Sequence, residues 1–110
     1  MSDATPEIAV DRLAREQSDG ATVVDVREPG EYIAGHVPGA TLIPMGQLSS
    51  RLAELDESRP VYLVCASGNR SAAMTDLLRA SGYDAYSVAG GTSAWARSGQ
   101  PIETGASRSS

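Results

Sequence analysis

The chain has 110 residues, a length that fits one compact domain, and its core must rest on Val, Ile, Leu and Ala because Phe is absent. Its net charge of −5 argues against nucleic acid as a partner, since binding to phosphates needs a basic face. One Cys and one His exclude an internal disulfide and argue against a metal site, and no cofactor is indicated.

The chain shows no targeting or membrane signal. Its N-terminal segment lacks the basic and then apolar pattern of a signal peptide, and no apolar run is long enough to cross a bilayer. We therefore expect a cytoplasmic protein without a membrane partner, in a compartment where a thiol stays reduced. A single domain is predicted over residues 1–110, with a core at about 6–103 and loose ends at 1–5 and 104–110.

Strand and helix patterns alternate along the chain. In chain order, the predicted elements are a helix at 9–17, a strand at 21–26, a short helical turn at 29–34, a strand at 40–43, a helix at 45–55, a strand at 61–64, a helix at 70–80, a strand at 85–88 and a short helix containing Trp95. Short apolar strands separated by helices indicate the α/β class, with a mostly parallel sheet and helices on both faces. Ligands of such sheets bind outside the carboxyl ends of the strands.

Cys65 lies at one of these ends, directly after the apolar strand at 61–64. The loop that follows consists of Ala66, Ser67, Gly68, Asn69, Arg70 and Ser71. Small residues let the backbone N–H groups turn inward, Gly68 can adopt the positive φ that a tight loop needs, and Asn69 tolerates it too. The next helix presents its N-terminus to the loop. Together these features predict an anion-binding loop that lowers the pKa of Cys65 and stabilises a persulfide on it.

Other residues allow two interpretations each. Asp25 and Arg27 flank Val26 at a strand end, so they lie either at the rim of the pocket or in a structural salt bridge of Arg27 with Glu28, Glu31 or another acid. We expect His36 to fix a turn by a hydrogen bond and Trp95 to fill the core. Ser71 either caps the helix or donates to the sulfur. The glycine pair at 90–91 indicates tight packing or the start of a helix.

Four motifs, in this order, resemble those of the rhodanese family. They are Val24-Asp25-Val26-Arg27-Glu28, the segment 31–40 around Gly35-His36, the loop of Cys65, Gly68, Arg70 and Ser71, and Gly90-Gly91 followed by Ala94-Trp95. The resemblance runs from about Ile8 to Ile102. It implies a rhodanese-like five-stranded sheet and a sulfurtransferase that moves a sulfane sulfur from a donor, thiosulfate or a persulfide, to a thiol or cyanide acceptor through Cys65.

Three alternatives remain beside this enzyme. A phosphatase-like loop has five residues between its Cys and Arg, whereas four separate Cys65 from Arg70, which favours a smaller anion. A slow sulfur-carrier or regulatory module acting with a protein partner is suggested by the neutral Ala66 and Ser67, where thiosulfate-active members of the family often carry a basic residue. An oxidative sensor would need an external thiol, since no second Cys is present.

Overall fold

The computed structural model describes residues 5–105, which form an α/β fold around a five-stranded sheet. Every strand pair within this range is parallel, so the predicted fold class is confirmed. The strands are β1 (Glu7–Ile8), β2 (Thr22–Asp25), β3 (Thr41–Leu42), β4 (Val61–Val64) and β5 (Ala85–Val88). The α-helices are α1 (Val10–Ser18), α2 (Pro29–Ala34), α3 (Asn69–Ala80) and α4 (Gly91–Arg97). Of the ends predicted to be loose, residues 1–4 and 106–110 lie outside the described range.

The first strand, β1, was not predicted from the residue pattern. It contains only two residues, too few to show an alternating pattern. It pairs with β5 at the edge of the sheet, where the N–H of Ser87 donates to the carbonyl of Pro6 at 2.9 Å and the N–H of Ala89 donates to Ile8 at 2.9 Å. Its pairing with β5 therefore depends on a partner 80 residues away in the chain.

The single helix predicted at 45–55 is wrong. The structure has two 3₁₀ helices there, Met45–Ser50 and Leu52–Glu54. The apolar spacing was interpreted correctly in one respect, since Leu48 is fully buried and Met45, Leu52 and Leu55 pack against the same cluster. Gly and two consecutive Ser residues in this segment favour turns over a continuous α-helix, and the buried leucine side chains hold the shorter turns in place.

Apolar side chains cover both faces of the sheet, as predicted. On one face, Tyr62 and Val64 of β4 belong to a cluster with residues of α1, α2 and α4, namely Leu13, Tyr32 and Trp95. On the other face, Val61 and Leu63 pack with Leu48 of the first 3₁₀ helix and Leu78 of α3. A strand that is buried on both faces explains the uninterrupted apolar run at 61–64.

The strand order β1-β5-β4-β2-β3 places β4 and β2 side by side in the middle of the sheet. The chain leaves β2 toward β3 and leaves β4 toward β5, in opposite directions. The helices that follow also separate, because α2 packs on one face of the sheet and α3 on the other. Such a reversal opens a crevice at the carboxyl ends of the two strands. The residues predicted for the site follow these two strands.

None of the helices in residues 5–105 combines the length and the apolar character that a membrane span requires.

Candidate active site

Cys65 follows the last residue of β4 and is 1% exposed. The backbone N–H of Gly68 points at its sulfur and donates a hydrogen bond to Sγ at 3.0 Å. The hydroxyl of Ser71 lies on another side, with Oγ 3.5 Å from Sγ. The thiol is therefore buried, but polar donors rather than hydrocarbon alone surround it.

Two opposing effects set the pKa of Cys65. Burial is the largest single contribution and raises it, because a charged sulfur loses its hydration. Hydrogen bonds from the Ser71 hydroxyl and from the backbone N–H groups of Ser71, Gly68 and Ser67 lower it. The hydrogen bonds together outweigh burial, so the pKa of the thiol lies below its ordinary value. This direction agrees with the prediction made for the loop.

The tight turn in the backbone of the loop depends on Gly68, the N-cap residue of α3. Its backbone is left-handed, with φ 111° and ψ −13°, which other residues adopt only at a cost. Asn69 does not share this conformation, since every residue with positive φ in the described range is a glycine; it is instead the exposed first residue of α3. The turn at Gly68 aims its N–H at the sulfur and points the N-terminus of α3 toward the loop.

The N-terminus of α4 holds the loop from the other side. The N–H of Thr92 donates to the carbonyl of Cys65 at 2.8 Å, and the N–H of Ser93 donates to the carbonyl of Ala66 at 3.1 Å. Gly91 lies so close that a Cβ there would overlap the Cys65 carbonyl oxygen. The expectation of tight packing and a helix start at 90–91 is confirmed. The sequence did not predict that the N-terminus of α4 binds the carbonyls of the cysteine loop.

Arg70 does not extend free into the loop. Its guanidinium makes two bonds to the carboxylate of Glu31 on α2, Nη1 to Oε1 at 2.7 Å and Nη2 to Oε2 at 2.9 Å. The hydrogen bonds from Arg70, aided by the N–H of Glu28, lower the pKa of Glu31 to about 2. The cation is near enough for charge on Cys65 to raise the pKa of Arg70. Its charge is therefore balanced by a carboxylate at the site.

Asp25 and Arg27 form the structural salt bridge that was one of their two interpretations, with each other rather than with Glu28 or Glu31. Arg27 donates through Nε to Asp25 Oδ1 at 2.9 Å and through Nη2 to Oδ2 at 2.8 Å. Nη2 also donates to the carbonyl of Gly35 at 2.7 Å. Both side chains are buried. This pair ties the end of β2 to the turn before β3.

Arg27 also lines an open cleft of about 280 Å³ beside the loop. Ala66, the residue after the cysteine, forms part of its wall. The remaining lining residues come from α4 and from the segments next to the sheet: Gly35, Thr92, Ser93, Ala96 and Ile102. The cleft thus combines apolar walls with one guanidinium, directly beside the loop of the cysteine.

His36 and Trp95 have structural surroundings, as expected. The ring of His36 stacks on Tyr32 at 3.7 Å, and its Nδ1–H donates to the Tyr32 carbonyl at 2.7 Å. Its Nε2 lies 3.2 Å from a carboxylate oxygen of Glu103. Trp95 is buried and donates from Nε1 to the carbonyl of Pro101 at 2.6 Å.

Ser71 is the third residue of α3 and makes no N-cap; its hydroxyl donates to the Gly68 carbonyl at 3.2 Å, and the Cys65 thiol donates to Ser71 Oγ at 3.5 Å. Its Oγ lies 2.8 Å from Oγ of Ser87, a fully buried residue of β5. Ser87 was not singled out from the sequence. The available signal was a hydroxyl at an inward position of a buried strand, which requires a partner.

Comparison with known proteins shows similarity over most of the chain. The family model described as Rhodanese-like domain matches residues 5–98. The thiosulfate sulfurtransferase GlpE of Pseudomonas aeruginosa is 33% identical over 105 residues, which cover 94% of each protein. The putative sulfur carrier protein YrkF of Bacillus subtilis is 32% identical over 80 residues, 71% of this chain and 43% of YrkF. A crystal structure of a rhodanese-related protein from Thermoplasma volcanium superposes with a TM-score of 0.82 at 34% identity, covering 89% of this chain and 97% of that one.

Proposed function

Because the chain belongs to the rhodanese-like domain family, we propose that it is a sulfurtransferase that carries sulfane sulfur as a persulfide on Cys65. The donor in this proposal is thiosulfate or a persulfide, and the acceptor is cyanide or a thiol, which includes the thiol of a protein. The single observation that carries the proposal is the hydrogen bond from the Gly68 N–H to Cys65 Sγ at 3.0 Å. It comes from a loop in which three backbone N–H groups favour the anionic form of the sulfur.

The proposed cycle has two steps. In the first, the Cys65 thiolate attacks the outer sulfur of the donor; a new S–S bond forms, the donor's own bond to that sulfur breaks, and sulfite or a thiolate leaves with the electron pair. In the second, the acceptor attacks the outer sulfur of the persulfide, and Cys65 leaves as a thiolate. The cysteine is anionic at the start and the end of the cycle, and the persulfide carries the same charge. A loop that stabilises negative sulfur therefore serves every state.

The cleft beside Ala66 is the proposed route for donor and acceptor. It borders the loop, and Arg27 gives its lining a polar group for an anionic donor or a carboxylate of the acceptor. Its apolar part, formed by Ala96 and Ile102, suits an aliphatic thiol or a protein surface.

A second candidate is a sulfur carrier that turns over slowly by itself and delivers its persulfide to a protein partner. The observation favouring it is the charge balance around the loop. Arg70 is paired with Glu31, Arg27 is paired with Asp25, and the neutral Ala66 and Ser67 follow the cysteine. A sulfonate group in this region therefore finds guanidinium groups that carboxylates already bind. The name of YrkF, a relative, describes a sulfur carrier.

Intact-mass measurement after exposure to thiosulfate, glutathione persulfide or an inorganic polysulfide tests both candidates. We expect a gain of about 32 Da, one sulfur atom, that is removed by cyanide. A matched control combines Cys65→Ser with Ser67→Cys, which keeps one thiol on the same loop at an exposed position without the bond from Gly68. It should gain no stable sulfur. Cys65→Ser alone should abolish turnover.

Turnover then separates the candidates. Steady transfer from thiosulfate to cyanide supports the enzyme, whereas persulfide formation with only trace turnover supports the carrier. A wild-type protein that gains no sulfur from any of the three donors, or a relocated cysteine that gains it equally well, contradicts the proposed function.

A further inference from the structure

The buried hydroxyl of Ser87 has one hydrogen-bonding partner in the described part of the chain. Ser87 lies on β5, opposite Leu63 of β4, and its side chain is 0% exposed. Within residues 5–105 its Oγ bonds only to Ser71 Oγ, at 2.8 Å. A buried O–H that donates to nothing is unfavourable. Either hydroxyl could be the donor of this pair, but only the arrangement in which Ser87 donates to Ser71 Oγ gives the Ser87 O–H an acceptor.

This direction determines what the Ser71 proton can do. Because Ser71 Oγ accepts from Ser87, its own O–H remains available for another acceptor. Two lie close: the Gly68 carbonyl oxygen at 3.2 Å and Cys65 Sγ at 3.5 Å. When the sulfur is a neutral thiol, its S–H can donate to Ser71 while Ser71 donates to Gly68. When the sulfur is negative, the Ser71 O–H can rotate toward it.

The rotation leaves no buried group unpaired. The Gly68 carbonyl also accepts the N–H of Ala72 at 3.0 Å, so it keeps a partner when Ser71 turns away. The negative sulfur then accepts from a chain of two hydroxyls, in which the bond from Ser87 polarises Ser71 and makes it a stronger donor. Without Ser87, Ser71 is a weaker donor to the sulfur.

We propose that Ser87 is a positioning residue that acts through Ser71: its hydroxyl donates to Ser71 Oγ and thereby directs the Ser71 proton to the sulfur of Cys65 whenever that sulfur is negative. Ser71 and Ser87 form a hydroxyl relay that changes its hydrogen bonding with the charge on the sulfur. The inference rests on the proposed role of Cys65 but makes a prediction about the thiol itself, in the absence of any sulfur donor.

The test is the pH dependence of thiolate formation, followed by ultraviolet absorbance and by the rate of alkylation, in Ser87→Ala, Ser71→Ala and the double variant. We expect Ser87→Ala to move the midpoint upward by about half a pH unit, and Ser71→Ala to move it further. In the double variant, the midpoint should equal that of Ser71→Ala, because the effect of Ser87 passes through Ser71. Ser87→Thr keeps a hydroxyl and should restore the wild-type midpoint.

Thr75→Val is a matched control. Thr75 lies one turn after Ser71 on the buried side of α3, and its Oγ1 is buried without a partner in residues 5–105. Removing this hydroxyl should leave the midpoint unchanged, while circular dichroism checks that each variant is folded.

Two results would overturn the relay. One is a midpoint in Ser87→Ala equal to that of Thr75→Val, and the other is a shift from Ser87→Ala that is as large in the Ser71→Ala background as in the wild type. Both results come from the titration of the Cys65 thiol and need no sulfur donor, so they do not depend on whether the protein transfers sulfur. A protein that gains no persulfide but shows the non-additive shifts disproves the proposed function and keeps the relay.

Discussion

At the scale of single residues, the site depends on a few backbone groups held in unusual positions. Gly68 donates to the sulfur because its backbone is left-handed, and the loop cannot shift because its carbonyls accept from Thr92 and Ser93. Gly91 permits that contact, since its φ is +59° and a Cβ would also lie 2.7 Å from the Ala66 carbonyl oxygen. The C=O and N–H of a trans peptide group point in opposite directions. Carbonyls of the loop that are bound by α4 therefore leave the N–H groups of the same peptides facing away from α4.

We predict that Gly91→Ala destabilises the fold and raises the pKa of Cys65. A left-handed alanine costs about 1–3 kcal/mol, and the overlap with the Cys65 carbonyl must also push the loop away from α4. Urea unfolding and the pH profile of alkylation measure the two effects. Gly30→Ala is the control, because Gly30 has no heavy atom within 4 Å of an added Cβ. Wild-type stability and alkylation in Gly91→Ala would contradict this account of the loop.

At the scale of elements, the ion pair of Arg70 and Glu31 joins α3 to α2 across the crevice between β4 and β2. Glu31 also accepts the N–H of Glu28 at 3.0 Å and so caps the helix on which it lies. One carboxylate therefore stabilises the start of α2, connects it to the loop helix and balances the cation near Cys65.

Glu31→Gln should increase the use of anionic donors. The amide can still accept from the Glu28 N–H, but the charge of Arg70 is no longer balanced. We expect kcat/KM for thiosulfate to rise severalfold in steady-state assays. The second-order rate constant for alkylation of Cys65 by an uncharged reagent, measured separately, should change less. An unchanged or lower kcat/KM for thiosulfate would show that the pairing does not limit donor binding.

We also expect Glu31→Gln to change how the free energy of unfolding depends on pH. The pKa of Glu31 is lowered from 4.5 to about 2 in the folded protein, so the ionised carboxylate stabilises the fold fully above about pH 4.5 and loses that contribution as the pH falls toward 2. Because both side chains are about a third exposed, we expect Glu31→Gln to cost at most about 1 kcal/mol at pH 7. Chemical denaturation at pH 7 and at pH 3 should show the difference shrinking at the lower pH.

At the scale of the whole molecule, the arginines near the site are neutralised by carboxylates, whereas the chain as a whole has a negative net charge. The guanidinium groups of Arg27 and Arg70 are each paired with a carboxylate, while the full chain carries −5. The net negative charge therefore repels anionic reagents at long range, and salt screens this repulsion. The N–H dipoles of the loop attract them only at short range.

Alkylation of Cys65 by iodoacetate and by iodoacetamide measures this field. The ratio of the anionic to the neutral reagent's rate constant should rise by about twofold or more as ionic strength increases from roughly 0.01 M to 0.5 M. Taking the ratio cancels any change in the thiolate fraction, since both reagents attack the same sulfur. A ratio that falls with salt would instead indicate an unbalanced cation beside the loop.

Much of the fold and part of the site could be predicted from the sequence, where the cause is local. The apolar runs at 61–64 and 85–88 predict buried strands because both faces of a central parallel strand are covered. The loop from Cys65 to Ser71 predicts a donor-lined sulfur, because a glycine turn and a helix N-terminus lie within a few residues of it. The four motifs, in order, predicted the family that comparison shows.

Only the tertiary structure decided which groups meet across the fold. The pairing of Arg70 with Glu31, the bonds from α4 to the loop carbonyls and the contact of Ser71 with Ser87 join residues that are distant in the chain, so no spacing in the sequence encodes them. At 45–54, the packing of Leu48 under the sheet adds to the weak helix propensity of Gly and Ser, and the chain forms two 3₁₀ helices instead of one α-helix. Local geometry therefore determines that the sulfur faces N–H groups, and long-range packing determines which side chains balance its charge.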